Sequence, residues 1–484
     1  MASDNRRMSE TRTAASGFLD RTLRNLRGAW RDISETARGA IGGSGAVAPA
    51  LPASDLDKVR ARMRECLEGK GGEVSSRARA AELGRLYLGL DGDGRKRFLK
   101  LLADEFDVDQ GAAAAAASAL IQAKDDRARA KAQRQLRSAL NAPRLKLLTQ
   151  FNALPEGVKF LVDMRAELLR FGRDDRGLAR LEADLKNLLA GWFDIGFLEL
   201  RRITWESPAA LLEKLSVYEA VHQVRSWTDL KNRLDSDRRC FAFFHPRMPS
   251  EPLIFVEVAT VSGMAADVQA LLDVKAPVID PRSADTAIFY SISNAQRGLA
   301  GISFGGFLIK RVVDQLSAEF PGLRTFATLS PVPGFCAWLD QEFAAGLPGV
   351  LGKQERKTLA AALGQGHASK GDLKHVLADP GWTKKPEVAA ALEAPLKRLC
   401  ARYLVEAKRE DGKALDPVAN FHLGNGARVE RINWLGDTSK KGLKQSAGMM
   451  VNYQYRLDDI EDNHEAYEGE GRIATSSAVA ALLK

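Results

Sequence analysis

The chain has 484 residues, 45% hydrophobic and 27% charged. That excludes a globally disordered polypeptide and leaves room for two or three domains of about 150 residues. Its 71 lysines and arginines outnumber 62 acidic residues, for a net charge of +9. The balance favours anionic partners without choosing between nucleic acid, an anionic membrane and a phosphorylated small molecule. Cys66, Cys240, Cys336 and Cys400 are scattered and form no C-x-x-C, which excludes a disulfide framework or structural zinc site and reads as reduced cytosolic thiols.

Residues 1–54 form a basic N-terminal arm and linker. Phe18, Leu19, Leu23, Leu26, Trp30 and Ile33 recur at helical spacing, and the run "IGGSGAVAPALPAS" that follows has a linker composition. Asp4, Glu10, Asp20, Asp32 and Glu35 argue against a mitochondrial presequence. Residues 55–205 show only helical patterns, including six alanines at 112–117. The basic run 124–137 lacks interleaved aromatics and reads as a solvated helix face rather than a nucleic-acid patch.

From residue 206 the pattern becomes mixed. Ser207-Pro208 is expected to be an N-cap with proline at the first helical position. Strands are expected at 240–245, 252–260, 286–293, 324–330, 427–436 and 448–457, a helix at 307–320, and helical structure over 353–410. The C-terminal part is therefore α/β or α+β. No apolar run reaches the roughly eighteen residues of a transmembrane helix. The N-terminus lacks a secretory signal, and the final Leu483-Lys484 is not a peroxisomal address.

Three segments carry candidate chemistry. "NAQRGLAGISFGG" (294–306) places four glycines between a strand and a helix, a turn suited to a diphosphate, with Gln296 and Arg297 as extra donors. It lacks the G-K-[ST] of a P-loop, and tight packing alone also accounts for its glycines. Gly301-Ile302-Ser303-Phe304-Gly305 matches the nucleophile elbow G-x-S-x-G, but about eight residues separate it from the strand. "LSPVPGFCAWL" (329–339) holds Ser330 at a strand end stiffened by Pro331 and Pro333, where it either serves a site or caps the next helix. "VANFHLGNGAR" (418–428) holds His422, either functional or structural. No histidine has metal-ligand spacing.

Taken together, "FYSISNAQRGLAGISFGGFLIKRVV", "FPGLRTFATLSPVPGF" and "NFHLGNGARVERINWLGDTSKKGLKQSAGMMVNYQYRL" resemble the malonyl-CoA decarboxylase family over roughly residues 55–470. The resemblance implies a helical oligomerisation domain (55–205) followed by a GNAT-like, acetyltransferase-fold mixed α/β catalytic domain (206–484). It implies a carboxy-lyase of fatty-acid metabolism that converts malonyl-CoA to acetyl-CoA and CO2. It assigns catalysis to Ser330, orienting and polarising the malonyl group, and to His422, protonating the enolate. Substrate binding falls to Ala300, Gly301, Ile302, Ser303, Phe304, Gly305 and Gly306; Arg297 or Lys310 is expected beside the diphosphate these residues hold, and Tyr455 is expected to help line the substrate pocket. Animal members carry a glutamate where this chain has Ser303, whose hydroxyl cannot supply that charge.

No metal or organic cofactor is implied, because the thioester itself accepts the electrons and coenzyme A belongs to the substrate. A cytoplasmic homotetramer is implied, without nucleic acid or stable membrane insertion. The alternatives are a CoA-thioester hydrolase using Ser303, an acyltransferase on the same scaffold, and a non-catalytic CoA or nucleic-acid binder. The absence of aromatic–basic interleaving argues against nucleic acid.

Overall fold

The computed structural model describes residues 26, 28–33, 47–69, 72–193, 195–302, 308–345, 350–367 and 369–484. The chain divides into two compact units. One comprises residues 1–197, 245–251 and 296–303; the other comprises 198–244, 252–295 and 304–484.

In the first unit, eight α-helices run from Ala53–Glu68 to Arg176–Trp192. Aspartates mark several starts. The carboxylates of Asp91, Asp109, Asp125 and Asp175 accept hydrogen bonds from amides in the first turns of their helices, because those amides have no intrahelical partner. The alanine run lies in helix Gln110–Gln122, and the basic run in helix Asp126–Ala139 faces outward.

Most of the expected arm lies outside the described residues, but Trp30 is fully buried. Its indole N–H donates to the Pro155 carbonyl (2.8 Å) and its ring packs edge-on against Phe160. The end of the expected linker is also packed. Leu51 is buried, and the Asp91 amide donates to the Pro49 carbonyl at 3.0 Å.

The second unit is built on a mixed sheet. Its strands are β1 (Glu199–Ile203), β2 (Arg238–His245), β3 (Met248–Val261), β4 (Thr286–Asn294), β5 (Thr325–Thr328), β6 (Ser330–Pro331), β7 (Arg428–Asn433) and β8 (Met450–Gln454), in the order β1-β2-β3-β4-β5-β8-β6, with β7 pairing β8. Pairings β1–β2, β3–β4 and those of β8 are antiparallel, whereas β4–β5 is parallel and connected through helix Leu308–Glu319. This helical region followed by a mixed α/β domain is the architecture the sequence predicts.

Two local expectations change. The stretch 55–205 is not helical throughout: β1 forms at 199–203 because its backbone pairs with β2. Ser207 does not cap the next helix. Pro208 stands at the N-cap of Ala209–Tyr218, and the Ser207 hydroxyl instead accepts from the Thr204 amide at 3.0 Å.

One feature of the sheet positions the site. The β4–β5 ladder ends at Phe289 and Thr328, after which the chain crosses to β6, whose partner is β8. Beyond Phe289, β4 has no ladder partner on that side among the described residues. The sheet opens there into a wedge.

Candidate active site

Ser330 sits at the wedge because β6 pairs it with Val451. His422 reaches it from helix Pro417–Gly424, which begins with Pro417 at its first position and with Asp416 as N-cap. The Asp416 carboxylate is fully buried and accepts from the amides of Val418 and Ala419, both at 2.9 Å, and from the Tyr403 hydroxyl at 3.2 Å. Burial raises its pKa despite these donors. Gly334 is required beside it, since a Cβ there would collide with the Tyr403 hydroxyl.

The two expected catalytic residues are hydrogen-bonded to each other, Ser330 Oγ to His422 Nε2 at 3.0 Å. Ser330 Oγ also donates to Thr328 Oγ1 at 2.9 Å, and His422 Nδ1 meets the Tyr455 hydroxyl at 2.8 Å. With the serine proton directed at Thr328, Nε2 carries the imidazole proton and Nδ1 accepts from Tyr455. The Tyr453 ring stacks on His422 at 4.6 Å between centroids. Burial lowers the His422 pKa to about 3, so the imidazole is neutral, and burial raises the Tyr455 pKa. Ser330 caps nothing, and both polar edges of the histidine ring are engaged.

A pocket of about 210 Å³ opens on the pair, lined by Val221, Phe289, Tyr290, Ile292, Asn294, Ser330, Pro331, Pro417, Val418, Phe421 and His422. Most of these side chains are apolar, and no lysine or arginine is among them. Among the described residues lining it, His422 is the only group able to become cationic. Tyr455, expected to line the pocket, instead stands behind the histidine at Nδ1.

The glycine segment is arranged differently from expectation. Arg165 holds it by its carbonyls, donating to Gly298 O (2.6 Å) and Ala300 O (2.8 Å) while pairing with Glu182 (2.7 Å). The amides of Leu299, Ala300 and Ile302 are committed to turns within the segment. Gly301 has φ +71°, a left-handed conformation suited to glycine. Arg297 is exposed, and the Lys310 ammonium pairs with Glu461 at 2.6 Å. Ser303, Phe304, Gly305 and Gly306 lie outside the described residues, and with them the elbow serine.

Sequence reasoning missed Thr328, Tyr453 and Asp416. Thr328 carried a signal, since it is two residues before Ser330 in an extended run and so faces the same side. Tyr453 and Asp416 carried none until β8 and the helix start were in place.

Residues 196–484 match the family model of the malonyl-CoA decarboxylase C-terminal domain, and residues 106–193 match that of its N-terminal domain. The chain belongs to the malonyl-CoA decarboxylase family. Mitochondrial malonyl-CoA decarboxylase of Anser anser anser is 40% identical over 422 residues, covering 84% of this chain and 83% of the goose protein. That of Rattus norvegicus is 40% identical over 411 residues, covering 80% and 82%. The crystal structure of malonyl-CoA decarboxylase from Rhodopseudomonas palustris is 42% identical with a TM-score of 0.80, covering 88% of this chain and 99% of that one. The Agrobacterium vitis structure is 41% identical with a TM-score of 0.78 and the same coverage. Among the described residues, no helix of this family member is long and apolar enough to cross a membrane.

Proposed function

We propose that the chain decarboxylates malonyl-CoA to acetyl-CoA and CO2, with Ser330 and His422 as its catalytic residues. The observation that carries the assignment of roles is the hydrogen-bonded row Thr328–Ser330–His422–Tyr455 at the wall of an apolar pocket. A malonyl carboxylate entering this pocket leaves water for a mostly apolar surface that has no lysine or arginine among its described lining residues. Loss of CO2 spreads that charge into the thioester as an enolate, so the environment disfavours the localised anion more than the delocalised one.

The incoming negative charge also offsets the burial that keeps His422 neutral, so the imidazole takes a proton from solvent at Nδ1 as the substrate binds, and the Tyr455 hydroxyl turns from donor to acceptor there. Ser330 hydrogen-bonds the malonyl group and orients its carboxylate for departure. The C2–carboxylate bond breaks, its electron pair becomes the enolate, and His422 Nε2 returns the proton to C2. The balance is one malonyl-CoA and one proton giving one acetyl-CoA and one CO2. Tyr455, at Nδ1, holds the ring in the orientation and tautomer that point Nε2 at Ser330.

The reaction so written uses no metal or organic cofactor, because the thioester is the electron sink. Binding of the CoA diphosphate by the 300–306 segment, with Arg297 beside it, completes the reading. It is supported by the left-handed Gly301 and by the family resemblance. A cytoplasmic homotetramer is also part of this reading. The four free cysteines support a reducing compartment, and the tetramer rests on the resemblance.

Steady-state kinetics of Ser330→Ala and His422→Asn test the roles. Each is expected to lower kcat by about 10²–10⁴; turnover at the wild-type rate in either would overturn the assignment.

A further inference from the structure

One wall of the pocket is made by a segment with no regular secondary structure. Residues 219–225 run between helices Ala209–Tyr218 and Trp227–Asn232, and Val221 from this run lines the pocket. An irregular segment with few backbone partners would be a poor gauge of substrate shape. This one is clamped.

The Glu219 carboxylate is buried and accepts from the amides of Val221 (2.8 Å) and His222 (2.7 Å). It also accepts from the hydroxyls of Ser291, at 2.9 and 2.8 Å, and Ser293, at 3.2 Å. The Ala220 amide donates to Ser293 Oγ at 3.2 Å. From the other side, the Lys441 ammonium donates to the carbonyls of Ala220 (3.2 Å) and Val221 (3.1 Å). Further along, Asp229 accepts from the Arg225 amide at 2.9 Å.

Ser291 and Ser293 flank Ile292 on β4, and Ile292 lines the same pocket. One strand therefore supplies both a wall residue and the hydroxyls that hold the opposing segment in register with it. Val221 differs from Phe289, Pro331 and Pro417 on the wall. Those three belong to strands or a helix, whereas Val221 owes its position to charged and hydroxyl groups and is itself only half-buried.

We infer that Val221, fixed by the Glu219–Ser291–Ser293–Lys441 clamp, sets how large a substituent at C2 of the acyl thioester the pocket admits. The inference rests on the decarboxylase reading and assigns the residue that separates malonyl from C2-methylated malonyl thioesters. Removing methyl groups from Val221 opens room at the wall; adding one closes it. A difference of about one methyl group in an apolar pocket changes discrimination by roughly 10-fold or more.

The test compares kcat/KM for malonyl-CoA and methylmalonyl-CoA in wild type, Val221→Ala, Val221→Ile and Lys441→Met, with thermal melts to establish that each variant folds. Val221→Ala is expected to raise the methylmalonyl-to-malonyl ratio about 10-fold, Val221→Ile to lower it, and Lys441→Met to raise it by less, through a loosened wall. A ratio unchanged in both Val221 variants while malonyl-CoA is still turned over would overturn the inference alone. A wild-type protein that does not decarboxylate malonyl-CoA would overturn the underlying reading.

Discussion

His422 combines two properties that a solvated histidine does not have together: its ring is neutral across the physiological range, and both its nitrogens are hydrogen-bonded. Its folded pKa, about 3, lies below the ordinary 6.5, and that of His222 is lowered by burial to about 4. Between these values and pH 6.5 the unfolded chain binds more protons than the folded one, so stability falls as the pH drops through this window. His422→Gln is expected to flatten that acid-side slope in urea denaturation series; an unchanged slope would show that the histidine is not buried neutral. Tyr455→Phe retains the ring and removes the hydroxyl at Nδ1. It is expected to lower kcat by roughly 5-fold, the worth of about 1 kcal/mol of hydrogen bonding, while KM for malonyl-CoA changes little. A KM effect with kcat intact would instead make Tyr455 a binding residue.

Two elements owe their placement to single residues. Helix Pro417–Gly424 is only eight residues long, too short to be stable alone, and its start is fixed by the buried Asp416 carboxylate. Asp416→Ala is expected to cost about 0.5–2 kcal/mol for the lost cap and to lower kcat, because the helix carries His422. Urea denaturation and steady-state kinetics read the two effects separately, and loss of neither would contradict the role. The turn at Gly298 is equally constrained. A Cβ there would drive into the Val162 carbonyl of helix Gly157–Phe171, a backbone atom that cannot rotate away. Gly298→Ala is expected to destabilise the protein by about 1–3 kcal/mol, visible as a lower melting temperature. An unshifted melt would show that the close approach is not maintained in solution.

Across the whole chain, what the sequence disclosed follows the range of the interactions. Strands β2 to β5, β7 and β8 and the crossover helix were legible because alternation and helical periodicity are local. Strand β1 was not, since a short edge strand with only Ile203 buried is defined by its pairing with β2 rather than by its own pattern. Ser330 and His422 were ambiguous in isolation and became a pair only through the order of the long motifs. Their partners Thr328, Tyr453 and Tyr455 depend on strands that join residues more than 120 positions apart in sequence, as the bond between the Tyr453 amide and Thr328 shows. The spacing of the glycine segment suits a diphosphate turn, whereas the grip of Arg165 on its carbonyls joins residues more than 130 positions apart and leaves no trace in that spacing. The central claim is the reaction itself. The most direct measurement is mass spectrometry of the products formed when the purified protein meets malonyl-CoA in the presence of a chelator and without ATP. Acetyl-CoA and CO2 in equal amounts are the expected result; free CoA with malonate would contradict it and shift attention to Ser303 as a hydrolase nucleophile.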